Sequence, residues 1–208
     1  LIRALEKRYT GKPGQRKIHA NAYADAMLEV HTRFPVDLDI AMLYVESMMD
    51  LNSWGYWMRD GYPLEGTPEI VALTESVMQR NPKHPAAVHF YIHLVEPTNT
   101  PDRGEKAADT LRTLMPAAGH AVHMPSHIYQ RVGRYADAIK RNQLAIAADE
   151  DYLSRSHGQD LYPIMYAPHN IHFLWFSAPL DGQGRLALES ARNRTAPEVH
   201  PAPEAAPG

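Results

Sequence analysis

The chain has 208 residues, enough to bury a sizeable core, and one domain is the default expectation. A net charge of −3 and a pI near 6.5 give no basic surface, so nucleic acid is excluded as an expected partner. Cysteine is absent, which excludes disulfides and thiolate ligands and leaves nitrogen and oxygen donors, with methionine sulfur the one soft alternative, for any metal. No apolar run reaches the ~18 residues that cross a bilayer, so no membrane association is expected. The first residues, Leu1-Ile2-Arg3-Ala4-Leu5-Glu6-Lys7-Arg8, are too charged for a signal peptide. The chain starts with Leu1 and not Met, as a processed product or a fragment would. A reducing cytoplasm is the expected compartment.

In chain order, apolar residues at three and four spacings predict helices over 15–33, 37–53, 67–80, 84–96, 103–115, 119–132, 135–149, 163–177 and 184–193. Phe34-Pro35, Asn81-Pro82, Glu96-Pro97 and Met115-Pro116 each end a periodic stretch, because the residue before proline avoids the helical region. No segment alternates apolar and polar residues long enough for a strand. The connection 52–66 holds Trp54, Tyr56 and Trp57 among Gly55, Gly61 and Pro63, and such an aromatic loop is expected to pack as a lid or cap. One helical domain is expected over 1–193, followed by a disordered tail over 194–208 rich in Pro, Ala and Glu.

Tyr23-Ala24-Asp25-Ala26 recurs as Tyr135-Ala136-Asp137-Ala138, 112 residues later, close to three units of a two-helix repeat. Gly133, Tyr135, Ala138 and Ala145, with Tyr129 before them, stand at the turn and close-packing places of one repeat. On these residues the segment 119–150 resembles a tetratricopeptide repeat; 84–116 and 15–53 resemble it less. The whole of 15–193 also looks like a group of bacterial repeat proteins with histidine-rich helices. The resemblance implies an all-α, right-handed superhelix of helix-turn-helix repeats whose first helices line one concave groove, usually a peptide-binding surface.

Two segments, His89-Phe90-Tyr91-Ile92-His93 and His123-Met124-Pro125-Ser126-His127, lie 34 residues apart with identical histidine spacing. Residues i and i+4 share a helix face, so each segment offers a pair of imidazoles, and a 34-residue period stacks the two helices side by side. His169 and His172 add a third pair. Helix axes 8–10 Å apart let such pairs converge on an ion. The predicted metal ligands are therefore His89, His93, His123, His127, His169 and His172. His120, beside Gly119 at a helix start, suits capping or solvent as well as ligation. His19, His31, His84, His157 and His200 share no face and are expected at the surface.

This set predicts one or two transition-metal ions per chain. Two clusters of three histidines would suit a pair of copper ions, the favoured metal; a set mixed with carboxylate would suit zinc, iron or manganese. Glu46, which forms an i,i+4 pair with Asp50, and Glu96 are the candidate general bases if bound zinc activates water. Those carboxylates can equally hold the outer nitrogen of a ligating histidine. Tyr91, Tyr129 and Tyr166 flank the histidine pairs and are expected to pack, as are Met42, Met48, Met49, Met124 and Met165. No phosphate loop, Gly-x-Ser-x-Gly elbow or HExxH motif is present. The expected function is metal-dependent oxidation with dioxygen on a small-molecule or peptide substrate in the groove. The rivals are a zinc-dependent hydrolase, a metal carrier and a metal-free peptide-binding scaffold.

Overall fold

The computed structural model describes residues 1–9, 14–156 and 162–195, with side chains through Arg192. Eleven α-helices follow one another among them: α1 (Ile2–Arg8), α2 (Arg16–Arg33), α3 (Leu38–Met49), α4 (Thr67–Arg80), α5 (Pro85–Val95), α6 (Glu105–Leu111), α7 (Gly119–His123), α8 (Pro125–Arg131), α9 (Tyr135–Arg155), α10 (Ala167–Leu180) and α11 (Gly184–Thr195). Among the described residues there is no strand; one isolated bridge joins Trp57 to Pro63. None of the described helices is long and apolar enough to cross a membrane. The expected tail lies outside the described residues from 196 onward, as do His157 and His200.

Local chemistry accounts for where the helices stop and start. Asp37 caps α3 by accepting from the Ile40 N–H at 3.0 Å. Gly133, at φ +82°, sits where a side chain would be strained, and the Arg134 N–H beyond it closes on the Tyr129 carbonyl at 2.8 Å. That is the wrapped helix end a left-handed glycine permits, and it reverses the chain from α8 into α9. The helix expected over 119–132 is in fact two, broken at Met124. Pro125 has no N–H to return to the preceding turn, so α7 and α8 meet at a kink. Two other differences concern length: α9 runs on to Arg155, and α1 has no counterpart in the expected set.

Each helix packs on the next through α1–α6, and α9 packs on both α7 and α8. Contacts also skip two helices: α5 lies against α8, and α7 against α10. The main core runs from Met42 and Val45 through Val88, Ile92 and Leu111 to Ile128, Tyr129 and Ala138. A smaller one joins Ile139, Leu174, Ala178 and Ala187. The aromatic loop after α3 docks on the end of α5, where Trp57 Nε1 donates to the Leu94 carbonyl at 2.7 Å. Tyr56 is buried beside it, while Trp54 stays exposed. The consequence is that α5, the α7–α8 pair and α10 are each fixed from behind.

Candidate metal centre

The histidine helices converge. His89 and His93 of α5 meet His120 of α7, and His123 at the end of α7 meets His127 of α8 and His169 of α10. Within each triad, one ligand-capable atom per residue lies within 4.8 Å of the others. In the first triad His89 Nε2 and His120 Nε2 are 3.2 Å apart; in the second His123 Nε2 and His127 Nε2 are 2.9 Å apart. Nitrogens bound at 2.0–2.1 Å around a tetrahedral ion sit about 3.3 Å from one another. One pair in each triad is therefore near the separation found around an ion, with a nitrogen of the third ring within 4.8 Å. The triads also adjoin, since the His93 and His127 ring centres are 5.8 Å apart and those of His120 and His123 6.2 Å.

The second triad is braced from outside. The Asn142 amide donates to the Ala138 carbonyl at 2.8 Å, which turns its oxygen to His123 and makes His123 Nδ1 the donor of their 2.7 Å bond. Ser126 Oγ lies 3.2 Å from the same nitrogen. Glu96 Oε2 lies 2.5 Å from His127 Nδ1, and a carboxylate can only accept, so that nitrogen too carries its proton. With both outer nitrogens committed, the two Nε2 atoms face each other across 2.9 Å, a separation that a cation between them can bridge. Phe173 walls the triad, its ring 4.7 Å from that of His123 and 4.4 Å from that of His127.

The first triad is held less fully. His93 Nδ1 and His120 Nδ1 are buried without a hydrogen-bond partner, and His93 Nδ1 stands 3.8 Å from Glu96 Oε1, too far for a hydrogen bond. Tyr166 packs edge-on to His120 with ring centres 5.0 Å apart. The start of α7 is fixed by Asp149 of α9, which accepts from Tyr162 at 2.6 Å and from Asn170 at 2.7 Å. Gly119 is required there, because any Cβ would stand 1.7 Å from Asp149 Oδ1. One buried carboxylate thus sets both the helix that carries His120 and the helix that carries His169.

Electrostatics disfavours charge on four of the six rings. Burial, and then repulsion from neighbouring imidazoles, lowers His89 and His123 well below the usual histidine value. The same causes bring His120 down to about 3 and His169 to about 4. Burial pushes Glu96 upward, but its hydrogen bond to His127, followed by its interaction with His93, outweighs this and holds the carboxyl at about 2. Near neutral pH, these four rings already have the lone pairs that ligation needs, and Glu96 is anionic.

Of the six expected ligands, the structure gathers His89, His93, His123, His127 and His169 into the triads, and His120 takes the place expected for His172. On α10 the i+4 neighbour of His169 is Phe173, which faces His123 and His127. His172, at i+3, falls on the other flank and stacks on Trp175 at 5.4 Å. His120 was legible after all: it stands at i−3 from His123 and i−7 from His127, the same helix face. Asn142 and Asp149 carry no sequence signal of their own, since their roles depend on how α9 crosses the histidine helices. Glu46 is engaged by Arg8 at 3.0 Å, with Asp50 on the same guanidinium, and is not poised as a base. His84 is buried, not exposed: it caps α5 at the Ala87 N–H and meets Asp39 at 3.1 Å. His31 stacks on Tyr44 with ring centres 5.7 Å apart. Tyr91 and Tyr129 bond Glu75 and Asp109, each at close to 2.8 Å or less, and so face away from the triads. Met165 is exposed, whereas Met42, Met49 and Met124 are buried.

A cavity of about 230 Å³ lies beside α5, lined by Met42, Leu43, Ala86 and Phe90 with Asp39, Glu46 and His84. Phe90, which lines it, follows His89 of the first triad in the chain, with ring centres 5.4 Å apart. The fold and site together define an all-α protein with two adjoining three-histidine clusters. The chain matches no protein-family model, no curated protein and no solved structure.

Proposed function

We propose that this protein is a metalloenzyme that holds a transition-metal ion in each histidine triad and uses the pair in copper- or iron-dependent oxidation with dioxygen. The observation that carries the reading is the second triad, where two Nε2 atoms point at one another across 2.9 Å with both outer nitrogens already bonded. A metal cation placed between them would be held by both nitrogens at once, with His169 beside them. Donor sets made of three neutral imidazoles favour copper over magnesium, calcium or manganese, which prefer oxygen. Zinc would fit the donors too, but Glu96 is committed to His127 and Glu46 to Arg8, which leaves hydrolysis without a free general base at either place.

The architecture is read as a tetratricopeptide-type superhelix over residues 1–193. The skipped contacts α5 to α8 and α7 to α10 are those of equivalent helices in successive repeats, and Ala138 and Ala145 are buried as the close-packing positions require. On that reading α5, α7–α8 and α10 line the concave side, and the apolar cavity by Phe90 favours a small-molecule substrate over a peptide.

Elemental analysis tests this first. Protein purified without added metal, or reconstituted anaerobically with copper or iron, is expected to carry two ions per chain, and His127→Ala to carry no more than one. Sub-stoichiometric metal, with no rise in Tm on titrating copper, iron, zinc or manganese, would return the groove to a metal-free scaffold.

A further inference from the structure

Glu96 closes α5, the helix of the first triad, yet its firm hydrogen bond is to His127 of the second. Its two oxygens face different triads. Oε2 accepts from His127 Nδ1 at 2.5 Å, and Oε1 is turned to His93 Nδ1, 3.8 Å away. That nitrogen of His93 is buried and has no partner, although a carboxylate oxygen stands one short movement from it. No other carboxylate bonds or ion-pairs with any of the six triad histidines among the described residues. The chain at Glu96 is itself pinned, because Arg131 of α8 donates to the Glu96 carbonyl at 2.6 Å and to the Thr98 carbonyl at 3.0 Å. That clamp holds the backbone from which the carboxylate reaches the seam between the triads.

We propose that Glu96 is a positioning residue shared by both metal sites: on loading, it accepts hydrogen bonds from His93 Nδ1 and His127 Nδ1 together. This rests on the reading that each triad holds an ion. Three physical consequences follow. Both rings are fixed as Nδ1–H tautomers, which commits His93, like His127, to ligation through Nε2. A bound cation withdraws electron density from its imidazole and makes the outer N–H a better donor, so loading the first triad draws His93 onto the waiting oxygen. One negative charge also lies at the seam between two cations that otherwise have only neutral ligands, and it offsets part of their mutual repulsion.

The shared role makes a prediction that a ligand of one site alone does not. His89→Ala and His169→Ala should each abolish one site and leave the other near its wild-type affinity. Glu96→Gln, which keeps the shape but accepts through only one atom, should weaken both sites together, by about 10–100-fold each. The measurement is competitive titration with zinc, whose two binding steps are followed by native mass spectrometry, with helical circular dichroism as the folding control. Zinc-loaded wild-type protein supplies a second measurement that needs no variant. In its 15N–1H spectrum His93 and His127 should both show a protonated, hydrogen-bonded Nδ1 and a metal-bound Nε2. Weakening confined to one site, or ligation of His93 through Nδ1, overturns the shared role and leaves the two-metal reading intact. Failure of wild-type protein to bind zinc, copper or iron stoichiometrically overturns both.

Discussion

The two triads are built from the same residue type at the same spacing, yet they differ in how well they are held. In the second, Asn142, Ser126 and Glu96 bond the outer nitrogens of His123 and His127, and Phe173 packs against all three rings. In the first, His93 Nδ1 and His120 Nδ1 are buried without partners, and Tyr166, half exposed, covers His120 from one side. Burial of an unbonded polar atom costs free energy that a bound ion can recover by ordering the ring. The second triad is the more fully braced of the two; the first leaves buried nitrogens unbonded. A ligand's pull on its protein depends on what the protein already supplied, so the second triad should fill first.

The sharpest way to break that contrast is to remove one ring from each. His123 is fully buried and leaves Asn142 Oδ1 facing a void when truncated. His123→Ala should therefore lose the tighter ion and also destabilise the metal-free protein by about 2–4 kcal/mol, the sum of a small cavity and an orphaned acceptor. His93→Ala removes a ring whose outer nitrogen was unpartnered, so it should cost one ion with less than about half that loss of stability. The check is denaturant unfolding of both metal-free variants beside metal content. Equal stability losses in the two would mean the bracing around the second triad contributes nothing and the contrast is wrong.

Much of this contrast was open to sequence reading, and the limits have physical causes. Periodicity and proline stops located α2 through α11 because each helix has an apolar face to bury, and the spacing His89/His93 against His123/His127 placed two pairs in one groove. What periodicity cannot resolve is rotation about a helix axis by a fraction of a turn. That is why His172 was expected in place of His120: an i+3 neighbour is about 60° from its partner in one sense and an i+4 neighbour about 40° in the other, and on α10 Phe173 took the inward place. The kink at Pro125 was equally out of reach of a period that ran through it. The bracing residues were less legible still. Asn142 and Asp149 act across helices, 19 residues from His123 and 21 from Asn170, and no local pattern announces such a bond. Glu96 is marked by its odd place at a helix end, and the sequence leaves open whether it acts as a base or holds an imidazole nitrogen; in the structure its carboxylate bonds His127 Nδ1.

A second, gentler way to sharpen the comparison is pH. His89, His120, His123 and His169 all have folded values below the usual 6.5, so between that value and their folded ones the unfolded chain binds protons that the folded chain refuses. Stability of the metal-free protein is therefore present above about pH 6.5 and falls as the solution is acidified, until the folded rings titrate, near 4 for His169 and near 3 for His120. Each deeply buried ring, His89 and His123 above all, contributes a slope of up to about 1.4 kcal/mol per pH unit; His169, more open to solvent, contributes less. Glu96, lowered to about 2, adds to the same trend only below its ordinary value of 4.5. Denaturant midpoints of the metal-free protein at pH 7, 6 and 5 should fall steadily. A flat profile across that range would mean the rings are not held neutral by burial. Loaded protein should lose its ions over the same interval, because protons compete for the Nε2 lone pairs.

The smallest expected effect belongs to the residue on the boundary of the site. His172 is one turn from His169 on α10 and was expected among the ligands, yet its ring stacks on Trp175 with centres 5.4 Å apart and an interplanar angle of 24°. It belongs to neither triad. His172→Ala should leave both ions bound with unchanged affinity, any loss of stability coming from the contacts of its ring outside the triads, the stack on Trp175 among them. Trp175 would report the change directly through its fluorescence, which makes the variant easy to verify as folded. The contrast with His169→Ala is what gives the test its force, because both substitutions remove the same chemical group from the same helix, three residues apart. Loss of an ion in both would mean that α10 rotates on loading to bring His172 inward. The second triad would then be no better formed than the first, and the order of filling argued from its bracing would have to be abandoned.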